Sequence, residues 1–367
     1  MRFNNHLQKG KIMNRFVTRF FLVFLVAILS LHFSCPKDQE NDQENEDEYS
    51  GPNFPTSLSD PIPFDVLGQG KLVFERIGPL SNNYSGVYVI DVITHQSWGI
   101  GSGVFNGPAV SPNGQKIAFC RSAGYEAGTV YDVFIMDILG NGIQNVSNLV
   151  DQDRCPTWTP DSSQIVFWVE SFPEQPVYRQ SPVPNPVDRQ KIKIFISWII
   201  RGPFSVSQNL KLAFVAQKIE DEFRIHTMDI DGTDLIAITT EETRSTEDHS
   251  EYHSPSWSPD GKKIAYILIT KDPSTREPKS MEVMLMGGDG GNLISLIKFN
   301  FNDLGLEVWS GENDISLCWS PDGTKIAFNK KDGHLESHIY IINQDGSDLT
   351  QVTFAEGVTD RSLSWSR

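Results

Sequence analysis

Positive charge is scarce in this sequence: 31 lysines and arginines stand against 47 acidic residues, for a formal net charge of −16. A chain this acidic repels polyphosphates and anionic headgroups, so nucleic acid and anionic lipid surfaces are not expected partners. Cysteine is scarcer still, with 4 in 367 residues, and no spacing among them suits a zinc site. There is no Gly-x-Ser-x-Gly nucleophile elbow, which excludes a serine hydrolase of that type within the chain. Long stretches of 3.6-residue periodicity are also missing, so a helical architecture is not expected. The one long apolar run, Phe20 to Leu31, is too short to cross a bilayer comfortably.

What the chain does have is a repeat. The phrase Trp-Ser-Pro-Asp-Gly-Lys-Lys-Ile-Ala-Tyr at Trp257 to Tyr266 returns at Trp319 to Phe328, and worn copies surround it. With Ser258 as the marker, copies fall at Ser111, Thr159, Ser207, Ser320 and Ser366, spaced 46 to 62 residues apart. Each interval accommodates four short strands and their turns, the content of one propeller blade. In the last full copy, strand a is expected at Ile315–Ser320, b at Lys325–Asn329, c at His338–Asn343 and d at Leu349–Phe354. Pro-Asp-Gly links a to b: proline presets φ, the aspartate bonds its own backbone and glycine takes the positive φ of a tight turn. The same logic makes Asp229-Ile-Asp231-Gly-Thr-Asp234 a c-to-d turn rather than a calcium loop.

A lone strand a, Asp360 to Arg367, follows the last full copy and offers Ser362 to Ser366 for pairing, while the strands of Lys71–Arg76, Gly86–Asp91 and Gln96–Ile100 have no strand a before them. Pairing the two gives an all-β, six-bladed propeller of four-stranded antiparallel blades, closed by the C-terminal strand completing the first blade. Closure would remove the open sheet edges. These phrases, together with Ile-Tyr-Ile-Ile-Asn-Gln-Asp-Gly-Ser-Asp-Leu-Thr-Gln-Val-Thr, resemble the WD40-like PD40 repeats of TolB-type propellers. The resemblance covers about Gly68 to Arg367; it implies a fold and leaves function open. The chain has no room for the α/β domain that precedes the propeller in TolB.

The front of the chain gives an address. A basic stretch with Arg15 and Arg19, then the apolar run, then Ser34-Cys35, reads as a signal peptide over residues 1–34. Cys35 resembles a bacterial lipoprotein processing site, at which the new N-terminal cysteine is lipidated; ordinary secretion is the alternative. Pro36 to Ser50 carries seven acids and one lysine. Such a segment cannot bury enough apolar surface to order itself and reads as a tether spanning tens of ångströms at most. The expected organisation is therefore signal 1–34, lipidated Cys35 with acidic tether and lead-in 35–67, and propeller 68–367. The expected location is the bacterial cell envelope, lipid-anchored to the outer membrane. Cys120, Cys155 and Cys318 are read as small buried residues, a Cys120–Cys155 bridge being the alternative.

Loops entering strand a of each blade converge on the propeller mouth and bring Asp153, Arg154, Arg201, Glu251, His253, Trp309, Glu312, Asp314, Asp360 and Arg361. Mixed charge with an aromatic suits a peptide or a sugar. The long b-to-c and d-to-a loops, among them Thr270–Ser280 and Asn300–Asn313, share that face. His249, Glu251 and His253 precede a strand and are read as a polar rim, not as a metal site. The expected function is a membrane-tethered, monomeric binding or scaffold module for an envelope protein, peptide or glycan, with no catalytic residues and no cofactor. The alternative is a metal-dependent enzyme resembling propeller-type oligogalacturonide lyases, which would need a convergent cluster from His226, His253, His334 and His338.

Overall fold

The computed structural model describes residues 58, 60–78, 86–102, 105–122, 131–147, 152–171, 173–183, 189–218, 221–239, 249–301, 315–332 and 336–366. Among the described residues the one helix, α1 (Phe64–Leu67), precedes the first strand. Everything else regular is β.

Four separate four-stranded antiparallel sheets follow one another along the chain. They are β4 (Asn106–Val110), β5 (Lys116–Ser122), β6 (Tyr131–Asp137) and β7 (Gln144–Asn145); then β8 (Gln152–Trp158), β9 (Ile165–Glu170), β10 (Glu174–Gln180) and β11 (Gln190–Ile196). Next come β12 (Trp198–Val206), β13 (Lys211–Lys218), β14 (Arg224–Asp229) and β15 (Ile236–Ala237). The last is β16 (His249–Trp257), β17 (Lys263–Lys271), β18 (Pro278–Gly287) and β19 (Ile294–Asn300). A fifth, eight-stranded sheet has two halves. One is β20 (Leu317–Trp319), β21 (Lys325–Lys331), β22 (Ser337–Asn343) and β23 (Thr350–Gln351). The other is β24 (Thr359–Ser366) beside β1 (Lys71–Ile77), β2 (Gly86–Asp91) and β3 (Gln96–Ser102). A single parallel pairing, Ser337 with Thr359, joins the halves. β24 pairs antiparallel with β1 from Lys71↔Ser366 to Ile77↔Thr359.

The core lies between successive sheets. Val166, Trp168 and Val177 of one pack on Phe204, Leu212 and Phe214 of the next, and the pattern repeats as far as Cys318 and Ala327 against Leu72 and Phe74. The middle strands are therefore buried on both faces, and β21 reads Lys-Ile-Ala-Phe-Asn-Lys-Lys without apolar–polar alternation. Each large apolar side chain so buried contributes about 1.5–3 kcal/mol. Ahead of the strands, Leu58, Ile62 and Phe64 pack against the same core and Leu67 is fully buried, so the lead-in is docked from Leu58 onward.

The repeated phrase is a hydrogen-bonded turn. The Ser258 hydroxyl donates to Asp260 Oδ1 at 2.6 Å and accepts from Lys263 N at 2.9 Å, while Asp260 Oδ1 accepts from Lys262 N at 3.1 Å. Ser320 with Asp322, Thr159 with Asp161 and Ser111 with Asn113 make the same set. Gly114, Gly261 and Gly323 supply the positive φ; the Thr159 and Ser207 copies place Ser162 and Leu210 there instead. Ser258→Ala should cost about 1–2 kcal/mol, because it strands the Lys263 amide and frees Asp260. Ser258→Thr should be nearly neutral, since Thr159 makes the same bonds; urea midpoints of both variants test this. The Asp231 carboxylate likewise closes its own turn on Thr233 N and Oγ1 at 3.0 and 2.6 Å.

The region Thr270–Ser280 departs from the loop expected there. β17 runs to Lys271 and β18 starts at Pro278, leaving a short turn in which Asp272 Oδ1 accepts from Ser274 N and Thr275 N. Strand β23 covers only Thr350–Gln351 of the expected Leu349–Phe354: Asp348 takes a positive φ of 55° ahead of it, and beyond it the Ile339 amide donates to the Thr353 hydroxyl at 3.0 Å instead of to a backbone carbonyl.

Candidate binding cavity

Each sheet presents its first strand, or β24, to a common cavity of about 710 Å³. These inner strands are stitched to one another: Val110 N donates to Ser364 Oγ, Trp158 Nε1 to Ala109 O, Trp257 N to Ser205 Oγ, Trp319 Nε1 to Ser256 O and Leu363 N to Ser316 Oγ.

A β-bulge breaks the register within each of β4, β8, β12, β16 and β24. At each break a residue adopts positive φ: Gly107 at 62°, Cys155 at 49°, Gly202 at 68°, Ser254 at 48° and Ser362 at 56°. A bulge re-aims the neighbouring side chains. The residues immediately before it, Asn106, Arg154, Arg201, His253 and Arg361, all line the cavity, and Ile315 joins them at the corresponding position ahead of β20. They form one polar level. At the other end of the inner strands, Pro112, Pro160, Pro259 and Pro321 of the Ser-Pro and Thr-Pro turns line the cavity.

The guanidinium groups are fixed in place. Arg154 Nε donates to Glu170 Oε2 at 2.7 Å, its Nη2 donates to Gln152, and its head lies 4.8 Å from the Tyr131 ring centroid. Arg361 Nε donates to Glu75 Oε2 at 3.0 Å. Arg201 lies over the Phe223 ring at 3.7 Å. His253 Nε2 is 3.7 Å from Glu251, which Lys271 also contacts at 2.7 Å. Burial alone would raise the Glu251 carboxyl, but His253 and Lys271 outweigh it and draw it down to about 2.

Of the residues expected at the mouth, Arg154, Arg201, His253 and Arg361 come together around the cavity. Asp153 and Asp360 do not line it, because alternation turns each away from the arginine that follows it; Glu251 shares the face of His253 but lies further along β16, paired with Lys271, and is not in the lining. Trp309, Glu312 and Asp314 lie outside the described residues, as do Cys35, the signal and the acidic tether. Asn106, Ile315 and Glu170 were not anticipated; the signal that finds the first two is their register, at the same distance ahead of the turn serines Ser111 and Ser320 as Arg154 is ahead of Thr159.

Asp360 and Asp153 occupy equivalent places on β24 and β8 with opposite surroundings. Asp360 pairs across the strands with Arg76, which reaches both its oxygens at 2.6 and 2.8 Å. Asp153 faces Val169. It is fully buried, neither oxygen makes a hydrogen bond of ordinary geometry, and the nearby Ser147 hydroxyl offers only a weak one. Burial pushes its carboxyl up to about 7, with the neighbouring Asp132 charge adding to the rise.

Cys120, Cys155 and Cys318 are free thiols. Burial raises all three, Cys155 to about 11, which leaves them protonated and unreactive. His226 stacks on Phe214 and His338 sits 3.9 Å from Asp332, so of the described histidines named above only His253 lines the cavity. Among the described residues no group of three or more His, Cys, Asp or Glu side chains could hold a metal ion.

No protein-family profile matches the sequence, and no curated protein is similar to it. Solved structures are similar in fold. TolB from Acinetobacter baumannii superposes with a TM-score of 0.60 at 16% identity, over 81% of this chain and 66% of that one. A protein described as a TolB from Agrobacterium tumefaciens gives 0.52 at 14% identity, over 82% and 100%. A chain of a nidogen/laminin complex gives 0.57 at 7% identity, over 81% and 99%. The fold is a TolB-like β-propeller; at these identities the likeness extends no further than the fold.

Proposed function

We propose that this chain is a binding module of the bacterial envelope, held at the outer membrane by a lipidated Cys35 and the acidic segment behind it. In this reading the eight-stranded sheet counts as two blades, which makes six, and the pairing of β24 with β1 closes the ring. The cyclic contact of inner strands β24, β4, β8, β12, β16, β20 and again β24 supports closure. The ligand enters at the polar level of the cavity. The observation that carries the reading is the convergence of Arg154, Arg201, His253 and Arg361 on one cavity from separate strands, with their heads held by Glu170, Phe223, Glu251 and Glu75. Preorganised polar groups at a concave opening are how binding sites gain specificity. No catalytic role is assigned to any of them.

The test uses the full-length lipidated chain as bait in detergent-solubilised envelope. A partner retained by the wild type and lost with Arg201→Ala, at an unchanged unfolding midpoint, is the expected result. Elemental analysis of the same preparation showing stoichiometric metal and no retained partner would sink the reading in favour of an enzyme.

A further inference from the structure

Charge is distributed against the composition of the chain. The whole sequence carries −16, yet among the described residues the cavity lining contains Arg154, Arg201 and Arg361 against one acid, Glu170. Glu75, which accepts from Arg361 Nε and Nη2, is 1% exposed and does not line the cavity, so of that pair only the guanidinium meets an entering ligand. A guanidinium presents planar forked donors that match a carboxylate, and a concave low-dielectric wall focuses the field of several such groups.

Shape adds to this. From Arg154 to the Pro160 turn an inner strand rises roughly 3.3 Å per residue, so the cavity is on the order of 20 Å deep. A volume of about 710 Å³ spread over that depth is wide enough for one extended chain. Below the polar level the walls are prolines, indoles and serines; the Trp158 and Trp319 nitrogens already donate to the backbone carbonyls of Ala109 and Ser256, and the Ser205, Ser316 and Ser364 hydroxyls accept from backbone amides. With these polar groups engaged, the lower part of the tube offers its apolar surface to a ligand.

We infer that the cavity binds an extended apolar chain ending in a carboxylate, with the carboxylate held at the level of Arg154, Arg201 and Arg361. This rests on the binding-module reading above and names its ligand chemistry. Two sources carry it, the free C-terminus of a peptide and a fatty acid.

Calorimetric titration of the full-length protein separates them. The probes are acetyl-Leu-Ala-Leu with a free C-terminus, the same peptide as its C-terminal amide, and decanoate. The expected result is saturable binding of the free peptide or of decanoate, at least tenfold weaker for the amide, weakened at least tenfold by Arg201→Gln and weakened by salt. The probe that binds more tightly identifies the source. Equal binding of acid and amide overturns the inference, as does no binding of either carboxylate at millimolar concentration. If either happens while the envelope partner is still retained through Arg201, the binding-module reading stands and only the carboxylate is wrong.

Discussion

Arg76→Met should lower the stability of the protein by about 3–5 kcal/mol, the range for removing one member of a buried ion pair, and its melting temperature by roughly 10 °C. The Arg76 side chain is 6% exposed and binds two carboxylates, Asp360 through Nε and Nη2 and Asp60 through Nη2 at 2.9 Å. Its guanidinium carbon also lies 5.7 Å from the Phe74 centroid and 5.5 Å from that of Tyr88. Burial opposes the charge, but the two carboxylates outweigh it and keep the guanidinium protonated. Removing it leaves Asp360, which is fully buried, with no cation. The double variant Arg76→Met with Asp360→Leu should recover much of the loss, since a buried pair replaced by apolar groups is often close to neutral. Thermal unfolding of the single and double variants checks both statements, and additive losses would mean the pair is not the unit described.

Asp153→Asn should do the opposite, and its effect should depend on pH. In an unfolded chain this carboxyl titrates near 3.9, whereas in the fold it titrates near 7. Below pH 4 it is protonated in both states and contributes nothing. As pH rises from 4 to 7 the unfolded state gives up the proton while the folded state keeps it, so stability falls, by about 4 kcal/mol at most. Above pH 7 the whole cost is present. An asparagine cannot ionise, so the variant should match the wild type near pH 4 and exceed it by about 2–4 kcal/mol near pH 8. Urea unfolding of the two proteins at both pH values decides it; parallel pH profiles would show that Asp153 is ionised in the fold at no cost.

The strands and their tight turns were legible because the turn chemistry is local: Ser258, Asp260 and Gly261 interact within a few residues and say so in the sequence. The cavity was legible only in part. Arg154, Arg201, His253 and Arg361 stand out by residue type, but Asp153, Asp360 and Glu251 are equally polar neighbours; strand register sorts out the first two, and only the depth along β16 sorts out Glu251. That register depends on bulges whose positive-φ residue is glycine in β4 and β12 but Cys155, Ser254 and Ser362 elsewhere, residues that announce no such conformation. Asn106 and Ile315 are not legible in the sequence because their meaning comes from their position around the cavity. Arg76 escaped for another reason: within its own strand it is one charge after Phe74 and Glu75, and its partner Asp360 lies 284 residues away.

That separation sets a timetable. At synthesis rates of 5–20 residues per second, β1 waits roughly 15–60 s for β24 to be made. Throughout that interval β1 to β3 can exist as a hairpin sheet, with the edge of β1 that β24 will occupy unpaired and Arg76 lacking Asp360. An unpaired edge of this kind is the surface on which a nascent chain picks up wrong partners. The newborn protein therefore needs protection most at its earliest-made sheet, and any message truncated before Thr359 yields a product whose first-made strands never find their neighbour.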